Sequence, residues 1–133
     1  MQRVAVTGAK GTIGRRLCPD LAQDYELVSI DRADGGLGID IGDLAALKRA
    51  FENCQTVIHL AASVSIRAPW EEVQQNNIVG TYNVFEAARQ AGCTRVIFAS
   101  SHRVVGLYRS KPQMPVDADA REALLSVDLP PRP

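Results

Sequence analysis

The chain has 133 residues, 46% of them hydrophobic, and its 15 Lys and Arg balance its 15 Asp and Glu. That length suits a single domain with a real core, and the charge balance lacks the basic patch that a phosphate-backbone binder carries, so no nucleic-acid partner is expected. No apolar run approaches the ~20 residues that cross a bilayer, so no membrane partner is expected either.

Taken in chain order, Arg3–Thr7 reads as a buried strand, and 12–23 as a helix with Ile13, Leu17 and Leu21 at helical spacing. Pro19 inside that helix kinks it or shortens its last turn. Glu26–Ile30 is a second strand, running into Asp31. After a glycine-rich turn at 33–38, a short third strand is expected over 37–39, then a helix over 43–51 that Asp43 caps. A fourth strand spans 56–60 and is closed by Ala61 and Ala62. Pro69 opens a long helix to Gln90, ended by Gly92 in a left-handed cap, and a fifth strand over 95–99 leads into Ser100 and Ser101.

Strands separated by helices predict an α/β architecture, a Rossmann-type doubly wound parallel sheet of about five strands in the order 3-2-1-4-5. Residues 1–106 form the expected nucleotide-binding domain. Beyond it, Pro112, Pro115, Pro130, Pro131 and Pro133 punctuate 107–133 without a clear period, and an irregular tail is expected there. The chain opens on a strand rather than on a leader pattern, and Cys18, Cys54 and Cys93 are odd in number. Reduced structural thiols in a cytoplasmic protein are the expectation.

The first strand runs into Gly8-Ala9-Lys10-Gly11-Thr12-Ile13-Gly14, three glycines spaced G-x-x-G-x-x-G at the start of a helix. Gly8 and Gly11 let the backbone approach a pyrophosphate, Gly14 packs helix on strand, and the amides of Lys10, Thr12 and Ile13 are candidate phosphate donors. Asp31 ends the second strand, where an acid accepts hydrogen bonds from a ribose. Its carboxylate suits a 2′-hydroxyl and repels a 2′-phosphate, favouring NAD over NADP, although Arg32 beside it can accept that phosphate. Asp40 and Ile41, and Leu60, Ala61 and Ala62, lie at the carboxyl ends of strands, where an open parallel sheet forms its ligand crevice.

Asn77 falls toward the buried side of the long helix and needs partners; it either satisfies a neighbouring loop carbonyl or supports a site through water. Ser100 and Ser101 end the fifth strand beside the crevice, where a hydroxyl polarises a substrate carbonyl or hydroxyl only with a partner base.

In order, Thr7 through Gly14, Asp31, Asp40-Ile41, His59-Leu60-Ala61-Ala62, Asn77-Ile78-Val79-Gly80-Thr81 and Ser100-Ser101 resemble the extended short-chain dehydrogenase/reductases, the NAD-dependent epimerases, dehydratases and sugar dehydrogenases. Pro69-Trp70-Glu71 and the run SSHRVVGLY from Ser100 look most like the uronate dehydrogenase branch, which oxidises the anomeric carbon of a hexuronic acid with NAD. The resemblance implies Ser101 as the hydroxyl of the catalytic set, with Ser100 as the alternative and Asn77 in support. It implies Ser65 and His102 near a sugar or sugar acid, and a homo-oligomeric intact enzyme.

The family's proton-transfer pair, Tyr-x-x-x-Lys, has no match: none of Tyr25, Tyr82 and Tyr108 is followed four residues on by lysine. Taking a hydroxyl proton as carbon loses hydride requires a base, and an isolated serine is a poor one. The chain is therefore expected to be a truncated, cofactor-binding portion, inactive by itself. The alternative weighed is a non-catalytic NAD-binding module or sensor that lost the pair.

Overall fold

The structure, a computed structural model, describes residues 1–33 and 37–101. The chain divides into two units, Met1–Ala99 and Ser100–Pro133, and of the second only Ser100 and Ser101 are described. His102, Tyr108 and the tail 107–133 lie outside the described residues.

In the first unit, β1 (Arg3–Thr7) leads through a glycine loop to α1 (Gly14–Leu21) and β2 (Glu26–Ile30). Next come α2 (Leu44–Ala50) and β3 (Thr56–His59). A helical run of α3 (Trp70–Val73), a π-helical stretch (Gln74–Val79) and α4 (Gly80–Ala91) precedes β4 (Arg95–Phe98). The strands form one parallel sheet in the order β2-β1-β3-β4. Thr7 is level with Ile30 on one side and His59 on the other, and His59 with Phe98, so the four carboxyl ends open at one edge.

The alternation of strand side chains sorts the core into two layers. Ala5, Val28, Ile30 and Val57 pack with Leu47 and Phe51 of the α2 region and with Val84, Ala87 and Ala88 of α4. Val4, Val6 and Ile58 face the other way, against Leu17, Cys18 and Leu21 of α1. Helices thus cover both sides of the sheet, the doubly wound arrangement expected. Cys18, Cys54 and Cys93 are free thiols, and burial pushes all three up, away from the reactive thiolate. No helix among the described residues is long and apolar enough to cross a membrane.

The structure departs from expectation in three places. The third strand over 37–39 does not form. Leu37 N donates to Ser29 O at 3.1 Å, but Gly38 takes φ +64°, which breaks the extension a ladder needs. The first helix is shorter at both ends than 12–23, and Pro19 in its sixth position supplies no N–H for the turn before it. The long helix contains a π-helical stretch, which brings its two halves into a different phase. Two caps stand where expected: Asp43 accepts from Ala46 N at 2.9 Å, and Gly92 has φ +77°.

Candidate cofactor-binding site

The glycine loop is shaped by close approaches that only hydrogen permits. Gly8 has φ +70°, and a Cβ there would lie 2.7 Å from Ala61 N and 2.8 Å from the Leu60 carbonyl carbon. Gly8 is therefore needed where β1 passes the end of β3, in addition to any approach to phosphate. Gly11 donates to Gly8 O at 3.0 Å and would tolerate a Cβ most easily, 3.2 Å from that same oxygen. At Gly14 a Cβ would lie 2.5 Å from Ala9 O, so this glycine seats the helix on its own entry turn.

A crevice of about 260 Å³ opens beside this loop at the carboxyl ends of β1, β2 and β3. Gly8, Lys10 and Gly11 line it from the loop, and Asp31 and Arg32 from the end of β2. Ile41, Leu60, Ala61 and Ala62 form the other walls. Thr12, Ile13, Gly14, Asp40 and Asn77 do not line it. Three lining residues were missed: Ile30, Ile39 and Asn76. Period-two burial along β2 was a usable signal for Ile30, whereas the π-helical stretch that turns Asn76 inward leaves no pattern in the residues.

Asp31 organises the rim. Its Oδ2 accepts from Lys10 N at 2.9 Å and its Oδ1 from Ala33 N at 3.0 Å. The Lys10 amide is thus engaged within the protein, while a carboxylate with two oxygens retains lone pairs for further donors. Asp40 shapes the next turn, its Oδ1 accepting from Gly42 N at 2.7 Å while its Oδ2 lies 3.5 Å from Arg32 Nη1. Behind that turn, buried Asn83 donates through Nδ2 to Ile41 O at 3.0 Å and Gly42 O at 3.1 Å, holding Ile41 in the wall.

Beneath the crevice, His59 ties three elements together. Its Nδ1 is 2.7 Å from Thr7 Oγ1 and its Nε2 is 3.1 Å from Thr81 Oγ1 of α4, while its ring stacks on Phe98 at 5.4 Å. Thr7 Oγ1 also accepts from Ala61 N at 3.4 Å. The ring is 1% exposed, and burial lowers its pKa to about 4, so it is a neutral imidazole at pH 7.

The sequence and the fold both have known relatives. Residues 4–127 match the NAD dependent epimerase/dehydratase family. The chain belongs to that family. An L-arabinose 1-dehydrogenase (NAD(P)(+)) of Haloferax volcanii is 41% identical over all of this chain and 54% of its own length. A uronate dehydrogenase of Agrobacterium fabrum is 34% identical over 91% of this chain and 49% of its own. The chain therefore spans about half the length of the curated relatives it matches. Among solved structures, a mutant uronate dehydrogenase of Agrobacterium tumefaciens complexed with NAD superposes with a TM-score of 0.68 at 36% identity, covering 76% of this chain and 41% of that one. A UDP-N-acetylglucosamine 4-epimerase of Methanobrevibacter ruminantium superposes with a TM-score of 0.75 at 29% identity, over 88% of this chain and 42% of that one.

In this epimerase/dehydratase chain the segment after β3 is held by side chains from the helical run. Asn77 Oδ1 accepts from Ser63 N at 2.8 Å and Asn77 Nδ2 donates to Ser63 O at 2.9 Å, a paired grip on the backbone of one residue. Ser63 Oγ donates to Glu72 Oε1, and Asn76 Nδ2 donates to Glu72 O at 3.0 Å. Ser65 is exposed, and its Oγ accepts from Arg67 N at 3.2 Å. Ser101 is exposed and lies in the second unit, as does Ser100.

Proposed function

We propose that this chain is the NAD-binding N-terminal portion of an extended short-chain dehydrogenase acting on a sugar or sugar acid, by uronate dehydrogenase-like oxidation or epimerase/dehydratase chemistry. The observation that carries the reading is the crevice itself, with the glycine loop on one side, Asp31 at its rim and small Ala61 and Ala62 on its floor. These residues fit a dinucleotide. Gly8 and Gly11 present bare backbone to the crevice. The amides of Thr12 and Ile13 head α1, the end of a helix that favours an anion. Asp31 keeps acceptor capacity for ribose hydroxyls, and its negative charge favours NAD over NADP.

When bound, NAD supplies the hydride acceptor. Ser101, or Ser100 as the alternative, would hold the substrate hydroxyl, with Ser65 and His102 toward the sugar. Asn77 would act through the Ser63 backbone it grips, fixing the path of the chain that leads to Ser65. The 133 residues hold no Tyr-x-x-x-Lys, so the base that accepts the hydroxyl proton is not among them. This chain alone therefore binds cofactor without turnover, residues 1–106 forming the cofactor domain and 107–133 leading toward the catalytic portion. The same absence supports a second reading, a non-catalytic NAD-binding module or sensor. We infer a cytoplasmic location, which free thiols support, and a homo-oligomeric intact enzyme, which the family resemblance suggests.

The test is calorimetric titration of the chain with NAD and with NADP, followed by a uronate-dependent NADH assay on the same sample. NAD binding without NADH formation is expected, and Asp31→Ala is expected to weaken NAD by about 1–3 kcal/mol. Turnover by this chain would refute the missing-base account, and an affinity unchanged by Asp31→Ala would refute the ribose assignment. An in-frame Tyr-x-x-x-Lys encoded downstream would favour the enzyme over the sensor.

A further inference from the structure

At the amino ends of the strands, away from the crevice, two of the three cysteines come together. β3 and β4 are parallel, with Thr56 level with Arg95 and Val57 with Val96. Carried two residues back, that register sets Cys54 beside Cys93. The backbones are still joined there, since Thr94 N and Arg95 N both donate to Gln55 O, at 2.9 Å and 3.2 Å. One carbonyl touches both cysteines: Phe51 O accepts from Cys54 N at 3.0 Å and from Cys93 Sγ at 3.9 Å. The Cys54 thiol lies against the preceding carbonyl, Ala50 O, at 3.8 Å. Both side chains belong to the core layer under α2 and α4, whereas Cys18 packs in the other layer. Neighbouring strands run about 4.8 Å apart, within the roughly 4.4–6.8 Å between Cα atoms that a disulfide spans.

We propose that Cys54 and Cys93 form a redox modification site, a dithiol that closes reversibly to an internal disulfide on reaction with an oxidised low-molecular-weight thiol. Cys93 is part-exposed and Cys54 only 4% exposed, so the small disulfide meets Cys93 first. The Cys93 thiolate attacks one of its sulfurs, the small S–S bond breaks, and one small thiol leaves with the proton that Cys93 gave up. Cys54 then attacks Cys93 Sγ, forming the internal bond and expelling the second small thiol, which takes the Cys54 proton. Two electrons pass from the cysteine pair to the small disulfide, and an excess of the reduced small thiol reverses the exchange. Burial raises both thiols; at Cys54 the Arg3 guanidinium offsets part of that rise and the Cys93 thiol adds to it through space. Both are therefore mostly protonated, and closure is slow beside that of an exposed thiol. The bond would enclose β3 and the whole helical run, constraining the unfolded chain and stabilising the fold. The pair lies at the opposite ends of the strands from the crevice, so the proposal does not depend on what the crevice binds.

The experiment incubates the folded chain with oxidised glutathione at mildly alkaline pH and quenches it with acid. Free thiols are then counted, non-reduced peptides are mapped by mass spectrometry, and thermal unfolding is followed. The free thiols are expected to fall from three to one, with a single Cys54–Cys93 link and Cys18 still reduced. The melting temperature is expected to rise by about 5–15 °C and to return to its starting value with excess reduced glutathione. Cys18→Ser is expected to close the same bond, and Cys93→Ser to form no internal bond. The map of the wild-type chain decides the matter even where a variant fails to fold. A glutathione adduct that persists on Cys93 with Cys54 still reduced would mean that the two sulfurs cannot meet, and would overturn the proposal. So would three thiols left unreacted, a link that involves Cys18 or a second chain, or a Cys54–Cys93 bond that appears only in urea. A melting temperature unchanged or lowered by the bond would mean that the strands must part to make it, and would overturn it as well.

Discussion

Two loops flank the crevice, and they are held by opposite means. The first, residues 8–14, is held by its backbone: glycines stand where a Cβ would meet Ala61 N or Ala9 O, and its amides close on Gly8 O and Asp31. The second, residues 61–69, is held by side chains from outside it, Asn77 gripping both polar groups of Ser63 and Glu72 taking its hydroxyl. It is also the more exposed loop, with Val64 and Ile66 open to solvent at 89% and 88%. A loop fixed by missing side chains has little freedom to deform, whereas a loop fixed by a few distal hydrogen bonds can open when they break. The geometry suits a rigid turn on one side of the crevice and an adjustable one on the other.

The sharpest test of that contrast is Gly8→Ala. The new methyl would meet Leu60 and Ala61 backbone, atoms that cannot rotate away, at a φ of +70°. Left-handed strain of about 1–2 kcal/mol adds to overpacking of about 1–3 kcal/mol, so a loss of roughly 2–5 kcal/mol is expected in urea unfolding. NAD binding should disappear with it. A variant within 1 kcal/mol of wild type would mean that the first loop yields as readily as the second.

The same contrast explains what was legible in the sequence. Glycine spacing, the apolar run Val4-Ala5-Val6 and the acid after β2 are local patterns, and they located the loop, the strand order and Asp31. The grip of Asn77 on Ser63 spans fourteen residues and depends on a π-helical stretch, so helical spacing alone left its partner open. The spurious strand over 37–39 has a similar origin: Leu37 and Ile39 alternate with Gly38 as a strand would, but the glycine turns the chain. Arg32 and Asp40 were each visible as residues, while their pairing required the fold.

His59 joins the two loops, through Thr7 at the entrance of the first and Leu60-Ala61 at the start of the second. It stays neutral in the fold down to about pH 4, whereas its ordinary value is 6.5. Between those limits the unfolded chain binds the extra proton, so stability is fully present above pH 6.5 and declines as pH falls toward 4. The loss reaches about 3 kcal/mol at its limit. Urea unfolding of wild type and His59→Gln at pH 7.5, 5.5 and 4.5 should show the wild-type advantage shrinking across that window. Parallel pH curves for the two proteins would remove His59 from the account.

Asn77→Ala probes the second loop directly. It leaves Ser63 N and Ser63 O without their partner, but at a part-buried site that water can reach. About 1–2 kcal/mol of local stability should be lost. Hydrogen exchange should speed up over 61–69 while the β1 and β3 amides keep their protection. Exchange that rises equally across the sheet would mean that the second loop is as integral to the core as the first.

The smallest effect is expected at Gly80, where α4 presses on the crevice wall from behind. A Cβ there would lie 2.5 Å from Ile41 Cδ1 and 2.7 Å from Ile41 Cγ1. Unlike the backbone met at Gly8, these atoms belong to a side chain that can change rotamer, so Gly80→Ala should cost only about 1 kcal/mol, partly offset by alanine's better helix propensity. The displaced Ile41 side chain must then move within the wall that it forms, between the Asn83-clamped turn and the floor. NAD affinity should fall by a few-fold with the melting temperature almost unchanged. A stability loss as large as that of Gly8→Ala would show that Ile41 cannot yield, and that the side-chain-built wall is as stiff as the backbone-built loop opposite it.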